Sequence, residues 1–271
     1  MRRWALLMLL AACAPEAPPA EDTSDFTRMG PPQPGEWLAR FDEPGQTFEQ
    51  YVAADVNRKS ADRAILYIRP LGDGMKKHGA VIEQMREFAQ IYFGAEAKLL
   101  EPAPMPPNAL DRDRGQYDAT RVHTTLRESM PERAIAYIGL TDDDLYSKGL
   151  NFVFGEGSLR ERVGIYSLHR LDSPDPAQFL RRSLKLMCHE VGHIFSIQHC
   201  IEYLCCMNGA NSLEESDRQP LHLCPTDLRK LAWNMGFDVR ARYDTLEMFY
   251  AAHGLTDEAA FVRKVKEKLR S

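Results

Sequence analysis

Two histidines and an adjacent glutamate form an H-E-x-x-H pattern within this chain of 271 residues. His189 and His193 are four residues apart, so on a helix their imidazoles project from one face and can bind one zinc ion. Glu190 follows the first histidine and can reach the open side of that metal, where it would take a proton from a zinc-bound water. The pattern predicts a catalytic zinc with Glu190 as the general base.

A third ligand is required, because a catalytic zinc takes three protein ligands and keeps one exchangeable water. His199 is the candidate, but it lies too far from His193 for one helical face, so the helix must end and the chain must turn. The extended motif H-E-x-x-H-x-x-G-x-x-H makes this turn with glycine, whereas this chain has Ser196. If the turn needs a positive φ, serine costs about 1 kcal/mol. The alternative is that the three histidines are incidental, but His199 stands at the offset that the extended motif gives its third ligand.

Five of the six cysteines are concentrated between residues 188 and 224. A disulfide framework usually spreads its cysteines over the fold, so a cluster beside histidines indicates metal binding. Cys188 falls inside the predicted helix and is expected to be a buried thiol.

The stretch from His189 to Asp227 resembles the archaemetzincin family of metzincin-clan zinc metallopeptidases. Shared features are the three-histidine motif, a cysteine directly after it, a second cysteine after four further residues, and a methionine two positions later. Residues 140–146 and 151–156 also resemble family stretches, and the likeness extends from about residue 34 to 231.

This resemblance implies a second, structural zinc and a methionine turn beneath the catalytic metal. Met207 would form that turn, and the implied structural ligands are Cys200, Cys205, Cys224 and Asp227. Aspartate occupies the place of the family's fourth cysteine and is an acceptable zinc ligand. Three alternatives remain open: Cys206 replaces the aspartate, the second zinc is absent, or a Cys200–Cys205 disulfide forms in an oxidising compartment.

The elements that would position these residues are predicted from hydrophobic periodicity. Two apolar runs flank a helical pattern, so the domain opens β-α-β with a parallel strand pair. The first four predicted elements are strand 64–68, helix 75–93, strand 97–100 and helix 116–126. Predicted after them are strands 134–138, 151–154 and 163–168, helix 176–195, and helices after residue 224. The resemblance implies an α/β (α+β) fold with a metzincin-like mixed twisted sheet, a backing helix and an active-site helix. It also implies that backbone groups of residues 164–166 hold an extended peptide.

The N-terminus predicts export. Arg2 and Arg3 precede a short apolar run, and the sequence Leu10-Ala11-Ala12-Cys13 resembles a bacterial lipobox, which implies a signal peptide over residues 1–12 and lipidation of Cys13. An ordinary secretory signal is the alternative. Residues 13–35 are predicted to be a flexible tether, and residues 36–271 a single domain with a helical tail from about residue 233. Ala14 favours the outer membrane by resemblance to Gram-negative sorting.

Composition excludes some partners and leaves two functions to weigh. The net charge is −5 and no basic stripe stands out, so we expect no nucleic-acid partner. A zinc-dependent peptidase acting on peptide or protein substrates is favoured, because a pure binder has no need of Glu190. The alternative is a catalytically weak zinc-binding surface lipoprotein that acts in peptide binding or zinc capture. Endopeptidase and aminopeptidase modes both stay open.

Overall fold

The computed structural model describes residues 23–268. The predicted signal peptide, Cys13 and the first part of the predicted tether lie outside the described residues. Among the described residues, no helix combines the length and apolar character needed to cross a membrane.

A five-stranded sheet forms the centre of the domain. Across the sheet the strands follow the order β2-β1-β5-β8-β7, and the first four are parallel. β7 is antiparallel to β8 and lies at the edge. The strands are β1 Ile65–Leu71, β2 Glu96–Leu99, β3 Leu110–Asp111, β4 Gln116–Asp118, β5 Ala134–Thr141, β6 Leu145–Tyr146, β7 Gly155–Gly157 and β8 Val163–Ser167. The predicted parallel pair and the mixed sheet are confirmed.

Helices cover both faces of this sheet. They are α1 Trp37–Arg40, α2 Phe48–Ala53, α3 Gly79–Phe93, α4 Ala119–Glu128, α5 Pro176–Ile194, α6 Leu213–Arg218, α7 Pro225–Met235, α8 Val239–Ala252 and α9 Thr256–Lys268. The main core joins one sheet face to α3, α5 and the helices after residue 224. A smaller core packs α4 on the other face. The prediction of a backing helix and an active-site helix is therefore confirmed.

Two predicted elements begin later than expected. The predicted helix from residue 75 starts instead with a 3-10 turn over Asp73–His78. The predicted helix 116–126 starts only at Ala119, because Gln116–Asp118 pairs as β4 and the Asp118 carboxylate accepts the backbone N–H groups of Thr120 and Arg121. Strand pairing and a local cap therefore decide these boundaries.

The strand prediction around the cleft is wrong in two respects. Residues 151–154 do not form a strand, and regular pairing begins at Gly155, the first residue of β7. Residues 164–166 cannot hold a peptide through free backbone groups, because β8 is already paired with β5 on one side and with β7 on the other. The edge available to a substrate strand is β7.

The two ends of the described chain pack together. Phe26 is buried and its ring lies 5.5 Å from that of Phe261. Asp25 pairs with Lys264 and Lys268, each at 2.7 Å. Asp25 and Phe26 thus lie against α9, whereas Arg28 and Met29 pair with the backbone of Tyr203 and Glu202.

Candidate metal centre and peptide cleft

Three histidines converge at the C-terminal end of α5. His189 and His193 stand one turn apart on this helix, with their Nε2 atoms 3.1 Å from each other. His199 follows the turn after the helix, and the ligand atoms of all three lie within 4.8 Å of one another. The sequence-predicted set is therefore brought together by the fold.

Each imidazole uses its Nδ1 for a hydrogen bond away from this centre. Nδ1 of His189 donates to the Cys206 carbonyl at 2.9 Å, and Nδ1 of His193 donates to the Ile197 carbonyl at 2.8 Å. Nδ1 of His199 faces the Glu43 carboxylate at 2.8 and 2.9 Å. Carbonyl and carboxylate oxygens only accept, so these contacts place the proton on Nδ1 and leave Nε2 as a free donor atom for a metal.

This donor set fits a zinc ion. Two Nε2 lone pairs that face each other at 3.1 Å repel unless a cation lies between them. Burial, with the neighbouring imidazoles, lowers the pKa of His189 well below its usual value and that of His193 to about 3. Both rings are therefore neutral near pH 7, as zinc ligation requires.

The turn that delivers His199 has the left-handed residue expected from the motif. Ser196 has φ 66°, with Ser196 N bonded to the His193 carbonyl and Ile197 N bonded to the Gly192 carbonyl. These two bonds form a Schellman motif. The Ser196 hydroxyl donates to the Leu159 carbonyl at 2.9 Å and accepts the Asn57 N–H at 3.1 Å. Serine at the glycine position is thus tolerated because its side chain makes bonds that glycine lacks.

Glu190 is buried between α5 and the edge strand. A Cβ at Gly155 would lie 2.7 Å from Glu190 Oε1, and a Cβ at Gly157 would lie 2.2 Å from the Glu190 carbonyl oxygen. Only glycine at these positions lets β7 lie so close to the helix. Burial raises the pKa of Glu190 well above its usual range, the Glu156 carboxylate adds to this rise, and the Gly157 N–H opposes it. A raised pKa suits a group that must take up a proton.

A cleft of about 550 Å³ runs past the three histidines. Its walls are α5, the edge strand β7, residues 37–45 and residues 208–211. Because β7 has a partner strand on one side only, its outer edge can pair with an extended peptide.

Met207 lies directly beneath the zinc-binding turn of α5. It is fully buried, and a Cβ at Gly192 would lie 2.4 Å from the Met207 sulfur. Gly192 lies between His189 and His193 in α5, so Met207 supports the helix at the level of the metal centre. Its placement agrees with the expected methionine turn.

A second cluster of metal-binding side chains lies behind the first. Its members are Cys200, Cys205, Cys224 and Asp227, whose ligand atoms lie within 4.8 Å of one another. The Cys200 and Cys224 sulfurs are 3.7 Å apart, and Asp227 Oδ2 lies 3.3 Å from Cys205 Sγ and 3.4 Å from Cys224 Sγ. Backbone N–H groups of Met207 and Cys224 point at Cys205 Sγ, which is the environment of a thiolate ligand.

The structure separates the alternatives for the fourth position. Cys206 Sγ faces the Lys185 carbonyl at 3.6 Å and is not part of the cluster. Cys200 and Cys205 are both free thiols. Asp227 is buried with one oxygen toward the sulfurs and the other bonded to Lys230 at 2.8 Å. Lysine thereby offsets part of the negative charge of three sulfurs and a carboxylate.

Sequence reasoning missed the contribution of the N-terminal segment. Glu43 is 156 positions from His199, and no local pattern marks it. The Tyr51 hydroxyl donates to the Phe195 carbonyl at 2.7 Å, and Asn57 Nδ2 donates to the Ile194 carbonyl at 3.0 Å. These side chains bind the carbonyls that the end of α5 leaves free, and so fix the turn that carries His199.

Comparison with known proteins gives a consistent result. Residues 104–233 match the model of peptidase family M54. Archaemetzincin-2 of Macaca fascicularis is 34% identical over 79% of this chain and 71% of its own length. The archaemetzincin of Methanopyrus kandleri is 37% identical over 54% of this chain and 82% of its own length.

Solved structures agree with the sequence comparison. The crystal structure of archaemetzincin from Methanopyrus kandleri superposes with a TM-score of 0.59 at 32% identity, covering 66% of this chain and 99% of that one. The archaemetzincin from Archaeoglobus fulgidus complexed with malonate gives a TM-score of 0.54 at 30% identity, covering 61% of this chain and 99% of that one.

Proposed function

The chain belongs to the archaemetzincin family of zinc-dependent peptidases, and we propose that His189, His193 and His199 hold its catalytic zinc while Glu190 is the general base. The observation that carries this proposal is the convergence of three Nε2 atoms beside Glu190, within a cleft bordered by a free strand edge. The alternative of a catalytically weak zinc-binding protein is not favoured, because this cleft contains the base that hydrolysis needs.

The reaction follows from where these groups lie. An extended peptide pairs with the outer edge of β7, which brings one of its carbonyls over the three histidines. Zinc bound there would polarise that carbonyl and make the attacking water more acidic. Glu190, held against the edge strand, takes the proton from the water and later delivers it to the leaving amine. The Nδ1 bonds of the histidines keep the ligand rings in place throughout.

Cleavage of a mixed peptide pool, read by mass spectrometry, tests this assignment. Glu190→Ala should retain zinc and lose peptidase activity by about 10²–10⁴-fold, because only the proton-transfer group is removed. Glu49→Ala is a matched control, because it removes an exposed carboxylate of α2 that does not line the cleft. Turnover by Glu190→Ala at the wild-type rate would refute the role of Glu190.

For the second cluster, we propose a structural zinc bound by Cys200, Cys205, Cys224 and Asp227. Support comes from the shared burial of three of the four residues and from the N–H groups directed at Cys205 Sγ. Zinc would replace the cluster's weak sulfur contacts and tie the chain after His199 to the start of α7.

Export and lipid anchoring are proposals that rest on the N-terminal sequence alone. We propose that Cys13 is lipidated and anchors the enzyme at the bacterial outer membrane or the periplasmic face of a membrane, with residues 13–35 linking the anchor to one catalytic domain of residues 36–271. Cell fractionation tests the anchor, since Cys13→Ser should move the enzyme from the membrane to the soluble fraction. A variant that stays with the membrane would contradict lipidation at Cys13.

A further inference from the structure

Lys185 is a buried cation beside the catalytic centre that the reaction does not use. It lies on α5 four residues before His189, which is about 6 Å along a helix axis. Only 5% of the residue is exposed, yet it lines the cleft together with Ser216 and Gln219. A charged side chain in this position needs an explanation, because burying an unpaired charge is costly.

All three hydrogen-bond acceptors of the ammonium group are neutral. Lys185 Nζ donates to the Ser216 carbonyl at 3.0 Å, to the Ser216 hydroxyl at 2.7 Å and to Gln219 Oε1 at 2.6 Å. Gln219 is itself fixed, because its Nε2 donates to the Gly209 carbonyl at 2.8 Å. The ammonium is thus held in a defined place by neutral acceptors, with no carboxylate bonded to it.

The neighbouring charges already neutralise one another. Arg181 pairs with Glu258 at 2.6 Å. Arg182 binds Asp217 through two bonds of 2.9 and 2.6 Å. Among residues 23–268, Lys185 itself makes no ion pair, so these neighbouring carboxylates leave its charge without a partner.

Burial lowers the pKa of Lys185 to about 8, so the group remains largely protonated at neutral pH. Four neighbouring groups also influence this pKa: Cys206, Asp217 and Cys205 raise it, and Arg181 lowers it.

We propose that Lys185 and Ser216 form a subsite that binds a carboxylate of the peptide substrate next to the scissile bond. The proposal rests on the peptidase function. A hydroxyl that accepts from an ammonium still has its own hydrogen to donate, so Ser216 can bind the carboxylate while Lys185 balances its charge. The carboxylate belongs either to an acidic side chain or to the C-terminus of the substrate.

The direction of β7 indicates which side of the scissile bond this subsite serves. Gly155 lies against the Glu190 side chain, and Gly157 lies against the Glu190 carbonyl and His193 Cβ, which are closer to the C-terminus of α5. β7 and α5 therefore run the same way across the cleft. A peptide bound antiparallel to β7 then runs from the His193 end toward Lys185. The subsite receives the residue that follows the cleaved bond.

Matched peptides test this inference. One series is acetylated and amidated and carries Glu, Gln or Leu directly after the cleaved bond, and a second series ends at that residue with a free carboxylate. We expect kcat/KM about tenfold or more higher for Glu than for Gln, or for the free C-terminus than for its amide, because a charge-assisted bond replaces a neutral one. The two series distinguish the side chain from the terminus.

Variants locate the effect. In Lys185→Met the ratio of kcat/KM for the charged peptide to kcat/KM for its neutral counterpart should fall to nearly one. In Lys185→Arg this ratio should persist, and in the exposed control Lys76→Met it should equal that of the wild type. Equal cleavage of charged and neutral peptides by the wild type, or a preference that survives in Lys185→Met, would overturn the subsite. The wild-type comparison decides even if Lys185→Met fails to fold. No cleavage of any peptide would instead refute the peptidase function, and the subsite with it.

Discussion

Glu43 provides the most informative perturbation of the metal centre. Its carboxylate accepts the Nδ1–H of His199 at 2.8 and 2.9 Å, whereas the other two ligands donate to uncharged backbone carbonyls. Burial raises the pKa of Glu43, but the hydrogen bond to His199 and the electrostatic interaction with that imidazole outweigh burial, so the pKa lies below its usual value. Glu43 is therefore ionised at neutral pH and adds a negative charge behind one zinc ligand.

The size of the effect follows from this contact. Loss of such an outer carboxylate typically lowers metal affinity by about 10–100-fold, which is about 1.4–2.8 kcal/mol. The pair is partly exposed, with 16% of the His199 side chain and 22% of the Glu43 side chain accessible, so solvent screens part of the charge. We expect Glu43→Gln, whose amide oxygen still accepts from Nδ1–H, to weaken zinc binding by about tenfold. Glu43→Ala also removes the hydrogen-bond acceptor of the His199 ring, so it should weaken zinc binding by nearly 100-fold.

Competition with a chromogenic chelator measures this affinity directly, and kcat/KM with saturating zinc measures the consequence for catalysis. Glu49→Gln serves as the matched control, because this exposed residue of α2 makes an ion pair with Arg229 at 3.9 Å and has no contact with the histidines. Zinc affinities of both Glu43 variants within twofold of the wild type would refute the reasoning.

Three further predictions concern other parts of the molecule. Asp227→Ala should lose the structural zinc and keep the catalytic one, with Asp227→Cys restoring it; metal analysis that finds equal zinc in all three proteins would contradict the Cys₃Asp site. Ser196→Ala should lower the free energy of unfolding by about 1–3 kcal/mol through the loss of two hydrogen bonds. The free energy of unfolding of Ser196→Gly should stay within about 1 kcal/mol of the wild-type value, since relief of the positive φ offsets the lost hydrogen bonds. Denaturant unfolding compares the two variants, and equal losses of stability would show that relief of the positive φ contributes nothing. Because Lys185 is protonated below its pKa of about 8, the preference for a carboxylate should decline as pH rises through 8; a Glu-to-Gln ratio of kcat/KM that is constant from pH 6 to 10 would contradict this.

Local patterns in the sequence were sufficient to predict the reactive group of residues. Helical periodicity places His189 and His193 on one face, and the spacing to His199 requires the turn that the structure shows at Ser196. The β-α-β opening and the parallel pair were also predictable, because they depend on short-range hydrophobic patterns.

Long-range pairing decided the rest. Which strand offers its edge to a substrate depends on the order of the strands, and the formation of β7 moved that edge from residues 164–166 to residues 155–157. Asp227 rather than Cys206 joins the second cluster because α7 begins at Pro225 and turns the carboxylate inward. Glu43 and Lys185 acquire their roles only when distant segments pack together. The Glu43 carboxylate bonds to a histidine 156 positions away, and Lys185 is buried without an ion-pair partner. A sequence specifies which side chains can do chemistry, whereas their electrostatic surroundings arise only from the folded packing.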